Sequence, residues 1–173
     1  MSNNVRFRRA TPADASDLLE LAVRIYDETF SAVNTPQNMQ AYLSQAFTLP
    51  QFETDLRDSQ ILFHVGEVEG HLIAYSKLVD RPAPECITGE AAIEIERFYI
   101  DRRWHGGGVS VSLMEICLEE ARQRGFKTIY LGVWEHNDRA VAFYRKWGFT
   151  RVGEHIFQMG DDPQVDWWMV RSI

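Results

Sequence analysis

Cysteine is scarce in this chain, and long apolar runs are missing. Cys86 and Cys117 are the two cysteines among 173 residues, and they form neither a CxxC pair nor a metal-ligand spacing. That excludes a disulfide framework and argues against a bound metal. No apolar segment approaches the roughly 20 residues needed to cross a membrane, and the start MSNNVRFRRATPADAS has no apolar core of the signal-peptide kind. Basic charge is also short, since 18 Lys and Arg against 25 Asp and Glu leave a formal net charge of −7. Nucleic-acid binding needs a basic face, so no such partner is expected. Together these absences predict a soluble, reduced, cytoplasmic protein.

What is present is apolar substance enough for one core: 45% of the residues are hydrophobic and 12% aromatic, which suits a single domain over residues 1–173. VRFRRA alternates like a strand. TPADASDLLELAVRIYDETF then reads as a helix, with Thr11 as N-cap, Pro12 in the first turn and a stripe of Leu18, Ala22, Ile25 and Tyr26. NTPQNMQAYLSQAF and LPQFETDLRDS repeat the early proline and predict one or two further short helices. QILFHVGEVEGHLIAYSKLV folds back at Glu69-Gly70 as an antiparallel hairpin, and DRPAPECITGE is a loop.

The second half carries the chemistry. AAIEIERFYI reads as a strand in which strict alternation puts Glu94, Glu96, Phe98 and Ile100 on one face and Ile93, Ile95, Arg97 and Tyr99 on the other. Next come DRRWHGGG and the amphipathic VSVSLMEICLEEARQRG. The order is strand, glycine-rich turn, helix. A helix start has amides without intrahelical partners and the positive end of the dipole, and glycines let a phosphate approach that backbone. No Lys-Ser or Lys-Thr follows the glycines, and GxGxxG fails after Gly108, so neither common nucleotide pattern applies. TIYLGVW is a buried strand, and DRAVAFYRKWGF a short helix closed by Gly148.

At this point the chain resembles a known family. RFYIDRRWHGGGVSVSLME followed by N..A..FY.K.GF is similar to the acetyl-CoA-dependent GNAT N-acetyltransferases. The resemblance implies the GNAT fold, an α/β (α+β) arrangement with a mostly antiparallel, twisted sheet of about six to seven strands. Its central strands splay to admit the cofactor, and helices cover both faces. In that family [QR]-x-x-G-x-[GA] opens the helix that takes the cofactor pyrophosphate. Here His105 stands at the Gln/Arg position, Gly108 at the glycine and Ser110 at the last position. His105 therefore brings a titratable group to the polyphosphate, and cofactor affinity is expected to fall as pH rises past the imidazole pKa. Gly106 and Gly107 are surplus and free the loop.

From about Arg6 to Val170 the chain further resembles the PaiA-type spermidine/spermine N-acetyltransferases, through DETF, IEIERFYI and FQMGDDPQVDWWMV among other runs. The implied layout is an acceptor-side part over about 5–80, an acetyl-CoA-binding core over about 91–149 and C-terminal strands over 150–173. The implied cofactor residues are Phe98, Tyr99 and Ile100 for the pantetheine amides, His105, Gly106, Gly107, Gly108, Val109, Ser110 and Val111 at the loop, and Asn137, Ala140, Tyr144 and Lys146 on the last helix.

An alkyl amine is almost wholly cationic at neutral pH, and freeing its lone pair costs on the order of 4–5 kcal/mol. Glu94 is the favoured general base, with Glu96 second. A neighbouring carboxylate would raise the first one's pKa and attract a cation. The departing thiolate needs a proton, which the phenol of Tyr144 can supply. Tyr26, Asp27, Glu28 and Glu94 are the expected acceptor contacts, with Phe30 and Tyr42 able to line an apolar channel. His64, His71, His136 and His155 show no metal spacing, and Trp167 and Trp168 face opposite sides of a last strand. The expected reaction is direct acetyl transfer from acetyl-CoA to a primary amine, with a polyamine such as spermidine or spermine as acceptor. A protein N-terminus, a lysine, an amino-acid-like molecule and a non-catalytic acyl-CoA sensor remain open alternatives, as does a homodimer.

Overall fold

The structure, a computed structural model, describes residues 5–173. Residues 1–4, part of the opening stretch read above from sequence alone, lie outside the described residues. In chain order the elements are β1 (Arg6–Arg9), α1 (Ala15–Phe30), α2 (Pro36–Ala46), α3 (Leu49–Asp55), β2 (Ile61–Val68), β3 (His71–Val79), β4 (Ala92–Ile100), α4 (Val109–Gln123), β5 (Thr128–Trp134), α5 (Asp138–Lys146), β6 (Thr150–Met159) and β7 (Asp162–Ser172). The seven strands form one sheet in the order β1-β2-β3-β4-β5-β7-β6. Every neighbouring pair is antiparallel except β4 and β5.

Local chemistry accounts for most element ends. Thr35 and Thr48 cap α2 and α3 through their hydroxyls, which accept from the amides of Asn38 at 3.2 Å and Gln51 at 3.4 Å, and a proline follows each cap. Thr11 works differently from the expected cap. A 3₁₀ turn over Pro12–Asp14 intervenes before α1, and the Asp14 carboxylate accepts from the Thr11 amide and hydroxyl. The β2–β3 turn has φ of 51° at Glu69 and 81° at Gly70, as a type I′ hairpin requires.

Helices cover both faces. Against one side of the sheet, α1, α2 and α3 bury Leu18, Ile25, Tyr26, Met39 and Phe52 on Phe63, Val65 and Tyr75. Against the other, α4 and α5 bury Leu118, Cys117, Val141 and Tyr144 on Ile93, Ile95, Ile129, Leu131 and Met169.

Two irregularities make the site. Lys77 pairs with Arg97 but Leu78 pairs with Ile95, so Glu96 is an extra residue in β4, a β-bulge. The bulge corrects the alternation predicted from sequence. Phe98 and Ile100 pack on the α4–α5 side, as Ile93 and Ile95 do, while Arg97 and Tyr99 join Tyr75 and Phe47 on the α1 side. The second irregularity is the parallel β4–β5 pairing, which lasts only from Ala92↔Thr128 to Glu94↔Tyr130. Beyond Glu94 the two strands separate.

Candidate active site

The gap between β4 and β5 opens into a cavity of about 870 Å³ that reaches both faces of the sheet. On the α4–α5 side its lining includes Phe98, Ile100, His105, Ser110, Asn137, Ala140, Phe143 and Tyr144. On the α1 side it includes Tyr26, Phe30, Tyr42, Glu94, Glu96, Trp134, Phe157 and Asp166.

The glycine loop has the form of an anion site. Gly106 and Gly108 both have φ of 82°, and a Cβ at either would meet nothing within 4 Å. Positive φ selects glycine there, and the open space leaves the backbone approachable. Ser112 is the first amide of α4 to bond back to the loop, onto the Gly108 carbonyl at 3.0 Å. The amides of Val109, Ser110 and Val111 thus stay free at the positive helix end, where a pyrophosphate fits. Val109 itself is buried and, with Leu113 of the same helix, seats α4 on Ile73, Ala74 and Ile100. Val111 is exposed, and only its amide belongs to the loop. Asn137 accepts from the Ala140 amide at 3.3 Å and so caps α5.

His105 does not present a free imidazole to this loop. Its Nε2 lies 2.9 Å from the Ile100 carbonyl, and its Nδ1 lies 2.6 Å from a guanidinium nitrogen of Arg139. A carbonyl only accepts and a guanidinium only donates, so Nε2 donates to Ile100 and Nδ1 accepts from Arg139. Both ring nitrogens are thus paired within the protein. Arg139 is the cation that the cavity offers here. Lys146 is exposed at the end of α5 and does not line the cavity.

Tyr144 is 8% exposed, wedged among Phe98, Phe143 and Phe149 with ring centroids 6.3, 5.5 and 5.8 Å away. Burial pushes its phenol above the ordinary tyrosine range, so it holds its proton at every physiological pH. Cys117 is fully buried within α4, and burial pushes its thiol up to about 12, which leaves no thiolate to act as nucleophile.

The two expected bases differ. Glu94 and Glu96 share the α1 side and belong to an alternating chain of charges, Asp55–Lys77–Glu96–Arg81–Glu94. Lys77 Nζ stands 2.8 Å from Asp55 and 2.5 Å from Glu96, while Arg81 reaches Glu96 and lies 3.1 Å from Glu94. For Glu94 burial outweighs Arg81 and pushes the carboxyl above its usual range. For Glu96 burial also opposes ionisation, but Lys77 and Arg81 overcome it and hold the carboxyl low.

On the acceptor side the structure separates the expected residues. Tyr26 is 6% exposed and lines the cavity, stacked on Tyr42 at 5.0 Å and edge-on to Tyr99 at 6.3 Å. Asp27 and Glu28 do not reach the cavity. Asp27 faces an outer groove between α1 and α2, and Glu28 pairs with Arg24 at 3.5 Å. Successive helical residues are turned about 100° apart, so the position next to Tyr26 leaves the cavity face.

Three residues on the C-terminal strands were not singled out for this site by the sequence. His155 stacks on Trp168 at 4.1 Å, and together they lean over Gly132, where a Cβ would sit 3.1 Å from the His155 ring. Asp166 lies directly across from both Trp134 and His155 in register. Its carboxylate has no hydrogen bond or ion pair among the described residues, and burial alone pushes it up to about 6. Aspartate on a strand otherwise apolar enough to be central was the available signal. Among the described residues no group of three or more His, Cys, Asp or Glu is arranged to hold a metal, and no helix is long and apolar enough to cross a membrane.

Comparison with known proteins gives this geometry its context. The uncharacterised N-acetyltransferase of the pepI 3′ region of Lactobacillus delbrueckii subsp. lactis is 27% identical over 169 residues, covering 98% of each chain. The spermine/spermidine N(1)-acetyltransferase of Bacillus subtilis is 28% identical over 90 residues, 51% of this chain and 59% of that one. Among solved structures, the PaiA N-acetyltransferase of Thermoplasma acidophilum in complex with coenzyme A superposes with a TM-score of 0.78 at 16% identity, covering 98% of this chain and 99% of that one. The model of the acetyltransferase (GNAT) family matches residues 19–149. A strand pair that parts beside an open glycine loop, within that match, makes this chain an acetyl-CoA-dependent N-acetyltransferase that belongs to the GNAT family.

Proposed function

We propose that the enzyme acetylates a primary amine of an elongated, cationic small molecule, with polyamines such as spermidine and spermine as the leading acceptors. The observation that carries the proposal is the cavity through the sheet. It joins an anion-ready loop on one face to carboxylates and aromatic rings on the other. The partial similarity to the spermine/spermidine enzyme supports the same acceptor class.

Acetyl-CoA supplies the activated acetyl group. Amides of Gly108 to Val111 would hold its pyrophosphate with Arg139 beside them, and the unpaired edge of β4 from Phe98 to Ile100 would bond its pantetheine amides. Asn137 and Ala140 would border the same arm.

On the α1 side Glu94 is the proton acceptor. A carboxyl with a raised pKa is a better match for an ammonium proton than an ordinary one, and Glu94 stands where β4 and β5 part. Glu96 stays ionised and fixes Arg81, which in turn orients Glu94. Tyr144, on the opposite side, donates its phenolic proton to the sulfur as it leaves. The separation of base and acid across the gap lets the free amine attack from one face while the thiol departs from the other.

Incubation of the enzyme and acetyl-CoA with a panel of amines tests the acceptor. Turnover on spermidine and spermine above that on amino acids and peptides is expected. No turnover on either polyamine, with turnover on a peptide N-terminus or lysine, would overturn it.

A further inference from the structure

We infer that Asp166 holds a second cationic centre of the acceptor, so that the enzyme selects amines carrying two separated positive charges over monoamines of the same length. The inference rests on the amine-acetylation reading above and assigns it a specificity residue.

Four carboxylates line the cavity: Asp55, Glu94, Glu96 and Asp166. The first three each have a basic partner within the charge chain. Asp166 has none among the described residues, although it is half-buried. A carboxylate withdrawn from water is costly unless a cation or hydrogen-bond donor meets it. No group among the described residues pairs with Asp166. Arg97, on the same face of the sheet, is engaged elsewhere: it lies 4.2 Å over Phe47 and donates to the Ala46 carbonyl at 3.2 Å. His155, directly across from Asp166, has its imidazole pKa lowered by burial, and its Nδ1 has no partner among the described residues.

The walls around Asp166 fit an ammonium on a methylene chain. Trp134, Tyr26, Tyr42 and Phe157 line the same space, with Tyr42 stacked on Tyr26 and edge-on to Phe157 at 5.2 Å. Aromatic faces attract a cation and accept methylene groups, and the adjacent carboxylate neutralises the charge.

Register sets the spacing. Glu94 pairs with Tyr130 and Asp166 with Trp134, so the two carboxylates stand four residues apart along β5 on one face of the sheet. That is about 13 Å along the strands, and because β5 lies between β4 and β7 the two also stand two strand spacings, about 10 Å, apart across the sheet. Side chains reaching inward shorten the gap. An acceptor whose reacting amine meets Glu94 therefore has room for a short aliphatic chain before its second ammonium meets Asp166.

The test compares the wild type with Asp166→Asn and Asp166→Glu on linear diaminoalkanes and on monoamines of matching length. Melting temperature and acetyl-CoA Kd serve as controls for folding. We expect the wild type to favour diamines, Asp166→Asn to raise the diamine KM about tenfold or more with monoamine KM and both kcat values little changed, and Asp166→Glu to recover much of the preference. Calorimetry of diamine binding in the presence of coenzyme A should show the same loss without turnover. Equal loss on diamines and monoamines, or no loss on either, would overturn the assignment. If the wild type acetylates no amine, the acetylation reading falls, and the calorimetric difference still decides the role of Asp166.

Discussion

Replacing Asp166 by Asn should make the protein more stable at neutral pH, and the gain should vanish in acid. Burial pushes this carboxyl from its ordinary 3.8 up to about 6. At pH values below both figures the group is protonated whether the chain is folded or unfolded, and it contributes no difference. As pH rises through the interval the folded state holds the proton longer, so the wild type loses stability relative to an uncharged variant. Above about pH 6 the loss is complete. The bare difference corresponds to roughly 3 kcal/mol, and because the carboxylate is partly open to solvent, screening reduces this to about 1–2 kcal/mol. For a chain of this size that is a rise in Tm of roughly 2–8 °C. Differential scanning calorimetry of both proteins at about pH 7.5 and about pH 4.5 measures it. A destabilised Asp166→Asn protein at the higher pH, or an equal shift at both, would refute the reasoning, because it would mean that the carboxylate has a partner in the fold. A stabilising loss of charge inside a cavity is the usual mark of a group kept for binding.

Three further outcomes follow from the geometry. Tyr144→Phe keeps the packing and removes the proton, so kcat should fall by about 10²–10⁴ while the acetyl-CoA Kd, measured by calorimetry, stays close to the wild type. Glu94→Gln should lower kcat/KM by a similar factor and flatten the acidic limb of the pH profile; in the wild type activity falls as pH drops through the raised Glu94 pKa, because the base becomes protonated. Lys77→Met leaves the buried Asp55 carboxylate without its cation, 6% exposed, and should cost about 3–5 kcal/mol in urea unfolding.

Features set by neighbouring residues were legible in the sequence. Thr35-Pro36 and Thr48-Leu49-Pro50 announce helix starts through the side-chain oxygen and the fixed proline φ, and Glu69-Gly70 announces its turn. The glycine loop was legible for the same reason, since its function is held in backbone conformation. Features set by distant partners were not. The bulge at Glu96 exists because β3 pairs across it with a shifted register, and simple alternation therefore put Phe98 and Ile100 on the wrong face. Asp166 reaches the cavity because β7 inserts between β5 and β6, a placement that chain order does not suggest. The partner of His105 comes from 34 residues downstream, on α5.

Of the carried-over site residues, the cavity gathers Glu94, Glu96, Phe98, Tyr99, Ile100, His105, Ser110, Asn137, Ala140, Tyr144 and Tyr26. Of the glycine loop it takes in His105 and Ser110 but not Gly106, Gly107, Gly108, Val109 or Val111, and it leaves out Asp27, Glu28 and Lys146. Asp27, Glu28 and Lys146 are charged residues on the outer faces of helices whose inner faces do line it. A motif specifies the helix; the angle around its axis decides which of its residues reach the site.

The central claim is that acetyl moves directly from the thioester to an amine across the gap between β4 and β5. Its most direct measurement follows free thiol and acetylated amine together, by a thiol reagent and mass spectrometry, with spermidine as acceptor. Equal amounts of the two products throughout the reaction are predicted. Thiol release without acetylated amine, or acetyl-CoA binding with neither product, would contradict it.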